Sequence, residues 1–310
     1  MVFLSCCASG ALSAQTPAWQ PSPGHTQVPI WPGAAPGAHN TSAPESTTVT
    51  GSDHLVAGRP WTYIEHVSTP TLTVYSPTGT NTGAAVIVFP GGGYQILAID
   101  LEGTEACDWL VSTGITCVLL KYRVPHTRPN WSEQCGCYLN TRSSMALEDA
   151  QRTIGLVRLH AAEWHVDPHK IGVLGFSAGG HMVAMVSTHF QRRVYKAVDA
   201  ADQESARPDF AVAVYPGHLF HYDQGQLNPD VHVTKDTPPT FIVQAENDSM
   251  DGPKNSLRYA EALKGAHVPV ELHMYAEGGH AFGLRPTAFP ITAWPRLVET
   301  WLKFIGMISG

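Results

Sequence analysis

Hydrophobic positions along this chain fall into short unbroken runs, separated by longer stretches in which they recur every three or four residues. Ala84–Phe89 is such a run, the pattern of a central strand buried on both faces; Ile115–Tyr122 reads as the next buried strand, and Lys170–Leu174, Phe210–Tyr215 and Thr240–Ala245 as further strands. Val268–Tyr275 reads as a further strand. Between them, Glu102–Thr113, the run from Ala178, Lys254–Lys264 and Ile291–Ile305 have helical spacing. Leu147, Ala150, Ile154, Val157, Ala161 and Trp164 share one helical face. Trp61–His66 and Thr71–Tyr75 read as an antiparallel pair. The alternation predicts an α/β fold, a mainly parallel central sheet with helices on both faces.

Before these elements the pattern is different. Gln15–Gly58 is rich in Pro, Gly, Ser and Thr with little periodicity, and reads as an extended wrap or lead-in to a domain spanning residues 59–310. Met1–Ala14 is small and apolar, with Leu12-Ser13-Ala14 before Gln15 resembling a signal-peptidase site, although it lacks Lys or Arg and is broken by Ser5, Ser9 and Gly10. A secreted or periplasmic location is expected, a cytoplasmic one if this segment is not a signal.

Composition narrows the field. The 310 residues are 43% hydrophobic and 15% charged, enough to bury a large core. A formal charge of −7 gives no electrostatic reason to expect nucleic acid as partner. No apolar run is long enough to cross a bilayer, so no integral membrane contact is expected. Six cysteines fall in pairs, Cys6/Cys7, Cys107/Cys117 and Cys135/Cys137. Cys107 and Cys117 read as buried thiols, while export would permit one or two disulfides among the pairs. Oligomeric state is left open.

The chemistry is concentrated in three places. Gly175-Phe176-Ser177-Ala178-Gly179-Gly180 follows a strand-like run and opens a helix-like one. In that context Gly-x-Ser-x-Gly is a nucleophile elbow, with the serine hydroxyl above the sheet and the next N–H near a helix N-terminus. Parallel sheets place their chemistry at the carboxyl ends of strands. Asp248 follows Thr240–Ala245 and His280 follows Val268–Tyr275, so Ser177, Asp248 and His280 are the expected catalytic triad. His280 would take the serine proton, and Asp248 would hold its tautomer and stabilise the imidazolium. Asp251 and Glu246 compete with Asp248 for that role.

Pro90-Gly91-Gly92-Gly93-Tyr94 ends the Ala84–Phe89 strand. It lacks the Lys-Ser/Thr ending of a phosphate loop and the spacing of a dinucleotide loop. It instead suits an oxyanion hole, with Gly92, Gly93 and Ala178 as N–H donors. His181 is expected to pack or hydrogen-bond inside its helix. His218-x-x-His221 has no carboxylates at metal-site spacing, and neither metal nor cofactor is expected.

These segments resemble a known group. Pro90–Tyr94 is similar to the His-Gly-Gly-Gly motif of hormone-sensitive-lipase-like esterases, with Pro for His; Lys121–Pro125 and Ala146–Ala150 resemble that group's Tyr-Arg-Leu-x-Pro and Ala-Leu-Glu-Asp segments. Closer still are bacterial acetyl-xylan and feruloyl (bifunctional carbohydrate) esterases, which share Pro-Gly-Gly-Gly-Tyr, Gly-Phe-Ser-Ala-Gly-Gly-His, an Asn-Ser-Leu-x-Tyr helix like Asn255–Tyr259, and Gly-Gly-His-x-x-Gly. The family's Asp-Asp is Asn247-Asp248 here, which leaves the acid in place. The resemblance spans about residues 60–305 and implies an α/β-hydrolase fold and a serine esterase of short acyl groups, acetyl or feruloyl, on cell-wall polysaccharide. The alternatives are a serine peptidase of prolyl-oligopeptidase type, for which an N-terminal propeller would be expected, and a silent binding protein on the same fold.

Tyr94 is expected at the substrate. So are Trp131 and Tyr138, flat side chains suited to sugar or phenolic rings, in the long insertion His126–Ser143.

Overall fold

The computed structural model describes residues 18–37, 43–124, 130–132, 137–139, 141–222 and 224–309. Eight strands form the central sheet: β1 (Val28–Pro29), β2 (Thr71–Tyr75), β3 (Ala85–Phe89), β4 (Thr116–Lys121), β5 (Ile171–Phe176), β6 (Phe210–Val214), β7 (Thr240–Ala245) and β8 (Val270–Tyr275). Their spatial order is β1-β2-β4-β3-β5-β6-β7-β8. From β4 to β8 every pairing is parallel, while β2 is antiparallel to both β1 and β4. The mainly apolar runs are the central strands: every residue of β3, β4, β5, β6 and β7 is buried, including Thr116, Lys121, Thr240 and Gln244. At the edge, β8 (VELHMY) is only half-buried.

Five helices cover the sheet: α1 (Glu105–Ser112), α2 (Thr141–Leu159), α3 (Ala178–Thr188), α4 (Lys254–Gly265) and α5 (Trp294–Phe304). In α5, Trp294, Val298, Trp301 and Leu302 form one buried stripe, and Trp294 meets Trp109 of α1 edge-on at 5.4 Å. Ala184 of α3 packs in a second cluster with Tyr259 and Leu263 of α4.

Three expectations are corrected. Thr62–Glu65 does not pair with β2; it joins Ser46–Val49 and Ile96–Leu97 in a separate three-stranded sheet. Almost all of β2 is buried, so it takes neighbours on both edges of the main sheet and not a hairpin partner. The helix expected from Glu102 opens with a wide π-type turn at Asp100–Thr104 before α1 begins. There Gly103 lies close against Pro90 and Leu119, where a Cβ would crowd the strand side chains. Cys107 and Cys117, read as buried thiols, are joined in a disulfide with Cα atoms 5.2 Å apart. The turn through Thr113 and Gly114 folds α1 back along β4, a proximity that helical periodicity does not register.

The Pro/Gly-rich lead-in is part of the packed body. Ile30 and Trp31 are in the core, and Trp31 Nε1–H donates to the buried Asp149 at 2.8 Å. Asp149 also accepts from Arg123, whose guanidinium donates to Glu148 and to the Pro36 carbonyl. The compositional break at residue 58 is therefore not a packing boundary. The proposed signal segment lies outside the described residues.

Candidate active site

The site is assembled at the carboxyl ends of β3, β5, β7 and β8. Ser177 sits between β5 and α3 with φ 51° and ψ −117°, in the left-handed half of backbone space that a side chain rarely occupies. The turn holds because Gly175 and Gly179 leave room: a Cβ on Gly175 would strike the Gly179 carbonyl, and one on Gly179 the Phe89 carbonyl. Ser177 N–H donates to Val214 O at 3.0 Å, which ties the elbow to the end of β6.

The residues expected around the serine converge. His280 Nδ1 lies 2.7 Å from Asp248 Oδ2, and its Nε2 lies 3.0 Å from Ser177 Oγ. A carboxylate only accepts, so Nδ1 carries the proton and Nε2 is left to accept from the serine hydroxyl. Asp248 Oδ1 accepts the N–H groups of Met250 and Asp251, both at 2.9 Å. Burial works to raise the Asp248 carboxyl, but His280 and those N–H groups outweigh it and hold it below the usual carboxylate range. Burial works against the His280 imidazolium, yet Asp248, with Asp251 and Glu102 beyond it, pushes its pKa above the ordinary histidine value. Of the competitors, Asp251 stands on the other side of the imidazole, its Oδ2 3.7 Å from Nε2 and 3.3 Å from Ser177 Oγ.

The glycine loop closes the opposite wall. Gly92 and Gly93 have φ 128° and 61°, and among the described residues no protein acceptor takes their N–H groups. Gly92 O accepts from Gln95 and Ile96, and Gly92 and Gly93 line a cavity together with Ser177. Together with the N–H of Ala178 at the start of α3, this arrangement can stabilise negative charge developing on a carbonyl oxygen.

Tyr94 is placed elsewhere than expected. It is buried beneath the loop, its hydroxyl 2.7 Å from His181 Nδ1, and does not line the cavity. Its φ is left-handed, 58°, and its side chain lies inside, beneath the loop it supports. His181 thus hydrogen-bonds inside its helix, and burial first, then His218 and His189, lower its pKa to about 3. Trp131 and Tyr138 face each other across a short hairpin, Asn130–Ser132 with Cys137–Leu139; their side chains, and the rest of the insertion's tip, lie outside the described residues.

Two participants had no signal in the sequence. Glu102 is buried, with Oε2 accepting Gly91 N–H at 2.7 Å and Oε1 accepting the Tyr215 hydroxyl at 2.8 Å. Tyr215 in turn accepts Gly283 N–H at 3.1 Å, so one carboxylate joins the glycine loop to the His280 loop. Burial raises the Glu102 pKa against the pull of these donors. Trp61, from the three-stranded sheet, lines a cavity of about 540 Å³ with Gln95, Ile96, Leu101, His218 and Met250. Its segment is clasped to the His280 loop by Arg285, whose guanidinium donates to the Arg59 and Pro60 carbonyls at 2.9 and 3.0 Å. Among the described residues no cluster of three or more His, Cys, Asp or Glu is placed to hold a metal ion.

Comparison with known proteins agrees with this fold. The chain is similar in structure to an acetyl ester-xyloside bifunctional hydrolase from Caldicellulosiruptor lactoaceticus, with 31% identity, a TM-score of 0.69, and coverage of 92% of this chain and 97% of that one. It is 28% identical over 224 residues to an acetylxylan esterase from Xylanibacter ruminicola, covering 65% of this chain and 41% of the relative. An endo-1,4-beta-xylanase B from Butyrivibrio fibrisolvens is 28% identical over 213 residues, 63% of this chain and 32% of its own. The chain thus spans well under half of these two relatives. The model of the prolyl oligopeptidase family matches residues 142–303, more than half of the 310 residues, and takes in the elbow, the acid and the histidine. The chain belongs to the prolyl oligopeptidase family and has the α/β-hydrolase fold.

Proposed function

We propose that this chain is a serine carboxylic-ester hydrolase that removes short acyl groups, acetyl or feruloyl, from plant cell-wall polysaccharide. The observation that carries the reading is the hydrogen-bonded line from Asp248 through His280 to Ser177, 2.7 and 3.0 Å, facing free amides of the glycine loop. As Ser177 Oγ attacks the ester carbonyl, its proton passes to His280 Nε2, and the oxyanion is held by the N–H groups of Gly92, Gly93 and Ala178. His280 then returns the proton to the departing alcohol oxygen, leaving an acyl-serine. Water, deprotonated by His280, attacks that acyl group, and the serine and a carboxylic acid are released. The chemistry needs no cofactor. The named activities of the acetylxylan esterase and of the acetyl ester-xyloside hydrolase support the choice of substrate. The Cys107–Cys117 disulfide supports a secreted or periplasmic location.

The family match favours a second reading, a serine peptidase of prolyl-oligopeptidase type. One screen of nitrophenyl acetate, methyl ferulate, acetylated xylan and a peptide amide separates them. Turnover of the esters with none of the amide is expected; amide turnover exceeding that of the acetyl and feruloyl esters would reverse the assignment.

A further inference from the structure

We propose that Asp251 recognises a hydroxyl on the carbon next to the one bearing the scissile ester, so that the site selects monoacylated 1,2-diols such as those of sugar rings. This inference rests on the esterase reading. The Asp251 side chain is only 16% exposed, and its Oδ2 lies 3.3 Å from Ser177 Oγ and 3.7 Å from His280 Nε2. Among the described residues no Lys, Arg or backbone N–H meets this carboxylate, and no Lys or Arg lines the cavity. The other carboxylate on the cavity wall, Glu102, has both oxygens occupied by Gly91 and Tyr215. Asp251 is therefore a largely buried acceptor beside the reacting atoms, while the single Ser177 O–H proton is directed at His280 Nε2, the nearer acceptor.

Such a group is costly to leave without a donor. Ser177 gives up its proton on attack, at the moment substrate fills the space around Asp251. Its place is also well fixed. Asp251 N–H donates to Asp248 Oδ1, its carbonyl accepts from Gln244, and its carboxylate is packed against Gly217, where a Cβ would collide with it. The departing alcohol oxygen must come within hydrogen-bond reach of His280 Nε2 to receive its proton. A vicinal hydroxyl stands about one hydrogen-bond length from that oxygen, which brings it to Asp251 Oδ2. The structure favours a neutral hydroxyl over an anion, because a substrate carboxylate there would face Asp251 in a cavity lined by no Lys or Arg.

The probes are cyclohexyl acetate, trans-2-hydroxycyclohexyl acetate and trans-2-methoxycyclohexyl acetate, the last keeping the oxygen but not the donor. In the full-length wild-type chain, kcat/KM for the hydroxy ester should exceed that for cyclohexyl acetate by about ten- to a hundred-fold, the factor associated with a hydrogen bond to a charged acceptor. The methoxy ester should gain nothing. Asp251→Leu should bring the hydroxy-to-plain ratio toward one, and Asp251→Asn, which keeps a carbonyl acceptor, should retain part of it. A merely structural role for Asp251 would change all three rates together and leave the ratios intact. A wild-type ratio near one, or a ratio that survives Asp251→Leu, overturns the proposal while leaving the esterase reading in place. If Asp251→Leu does not fold, the methoxy probe and Asp251→Asn still decide the question. Failure to hydrolyse nitrophenyl acetate as well as all three probes overturns both.

Discussion

Replacing Glu102 by Gln tests whether the glycine loop and the histidine loop are held in register by one buried carboxylate. The carboxylate accepts from Gly91 and from Tyr215, and Tyr215 accepts from Gly283 three residues beyond His280. A glutamine keeps one acceptor oxygen and turns an NH2 toward the other donor. If the oxygen stays on Gly91, Tyr215 loses the acceptor for its hydroxyl. If it turns to Tyr215, Gly91 N–H faces a second donor, and the amides of Gly92 and Gly93 lose their anchor. A hydrogen bond to a charged group is worth about 1.5–3 kcal/mol. A loss of ~2 kcal/mol felt in the transition state is about a 30-fold fall in rate. Amides that meet charge only as it develops act on kcat more than on KM. Glu102→Gln should therefore lower kcat for nitrophenyl acetate about 10- to 100-fold with KM within about threefold. Steady-state kinetics and a thermal melt on the purified variant provide the check. A variant that melts early yet keeps kcat within about threefold of wild type would refute the positioning role and leave Glu102 as scaffold.

Ser177→Ala, His280→Ala and Asp248→Asn should each lose on the order of 10⁴-fold in kcat with the circular-dichroism spectrum retained; more than about a tenth of wild-type activity in His280→Ala would exclude it as the base. Because the His280 pKa lies above the ordinary value and the base must be neutral to act, the acid limb of kcat/KM should fall above pH 6.5, and a profile flat down to pH 6 would contradict this. His181 is held neutral in the fold, with its pKa lowered from 6.5 to about 3. The unfolded chain takes up that proton first, so stability should fall as pH drops from about 6.5 toward 3, by up to ~1.4 kcal/mol per unit. Urea midpoints at pH 7 and pH 4 measure it, and His181→Gln should flatten the difference. Rates on nitrophenyl esters should fall steeply beyond about butyrate or hexanoate, as a cavity of about 540 Å³ among the described residues implies; a maximum at dodecanoate would contradict it.

What was legible in the sequence is what local physics imposes. Central strands buried on both faces are mostly apolar, so β3 to β7 stand out from the helical stretches, and their alternation with helices requires parallel crossovers. The elbow glycines are demanded by the backbone itself, because nothing larger fits at Gly175 or Gly179. Ser177, Asp248 and His280 follow from strand ends, and the structure brings them within hydrogen-bonding distance of one another. Other features depend on which distant segments meet. The pairing of Thr62–Glu65 with Ser46–Val49 and Ile96–Leu97, the inward turn of Tyr94, and the return of α1 along β4 that joins Cys107 to Cys117 all arise from packing that leaves no periodic trace. Glu102 lies in a stretch that reads as an ordinary helix start, and only burial against Gly91 and Tyr215 makes it a link between loops. Asp251, legible as a neighbour of the acid, becomes an acceptor at the nucleophile only when β5 and β7 are set side by side across β6. A chain records the conformations its residues require; the partners a buried polar atom will have are decided by tertiary packing.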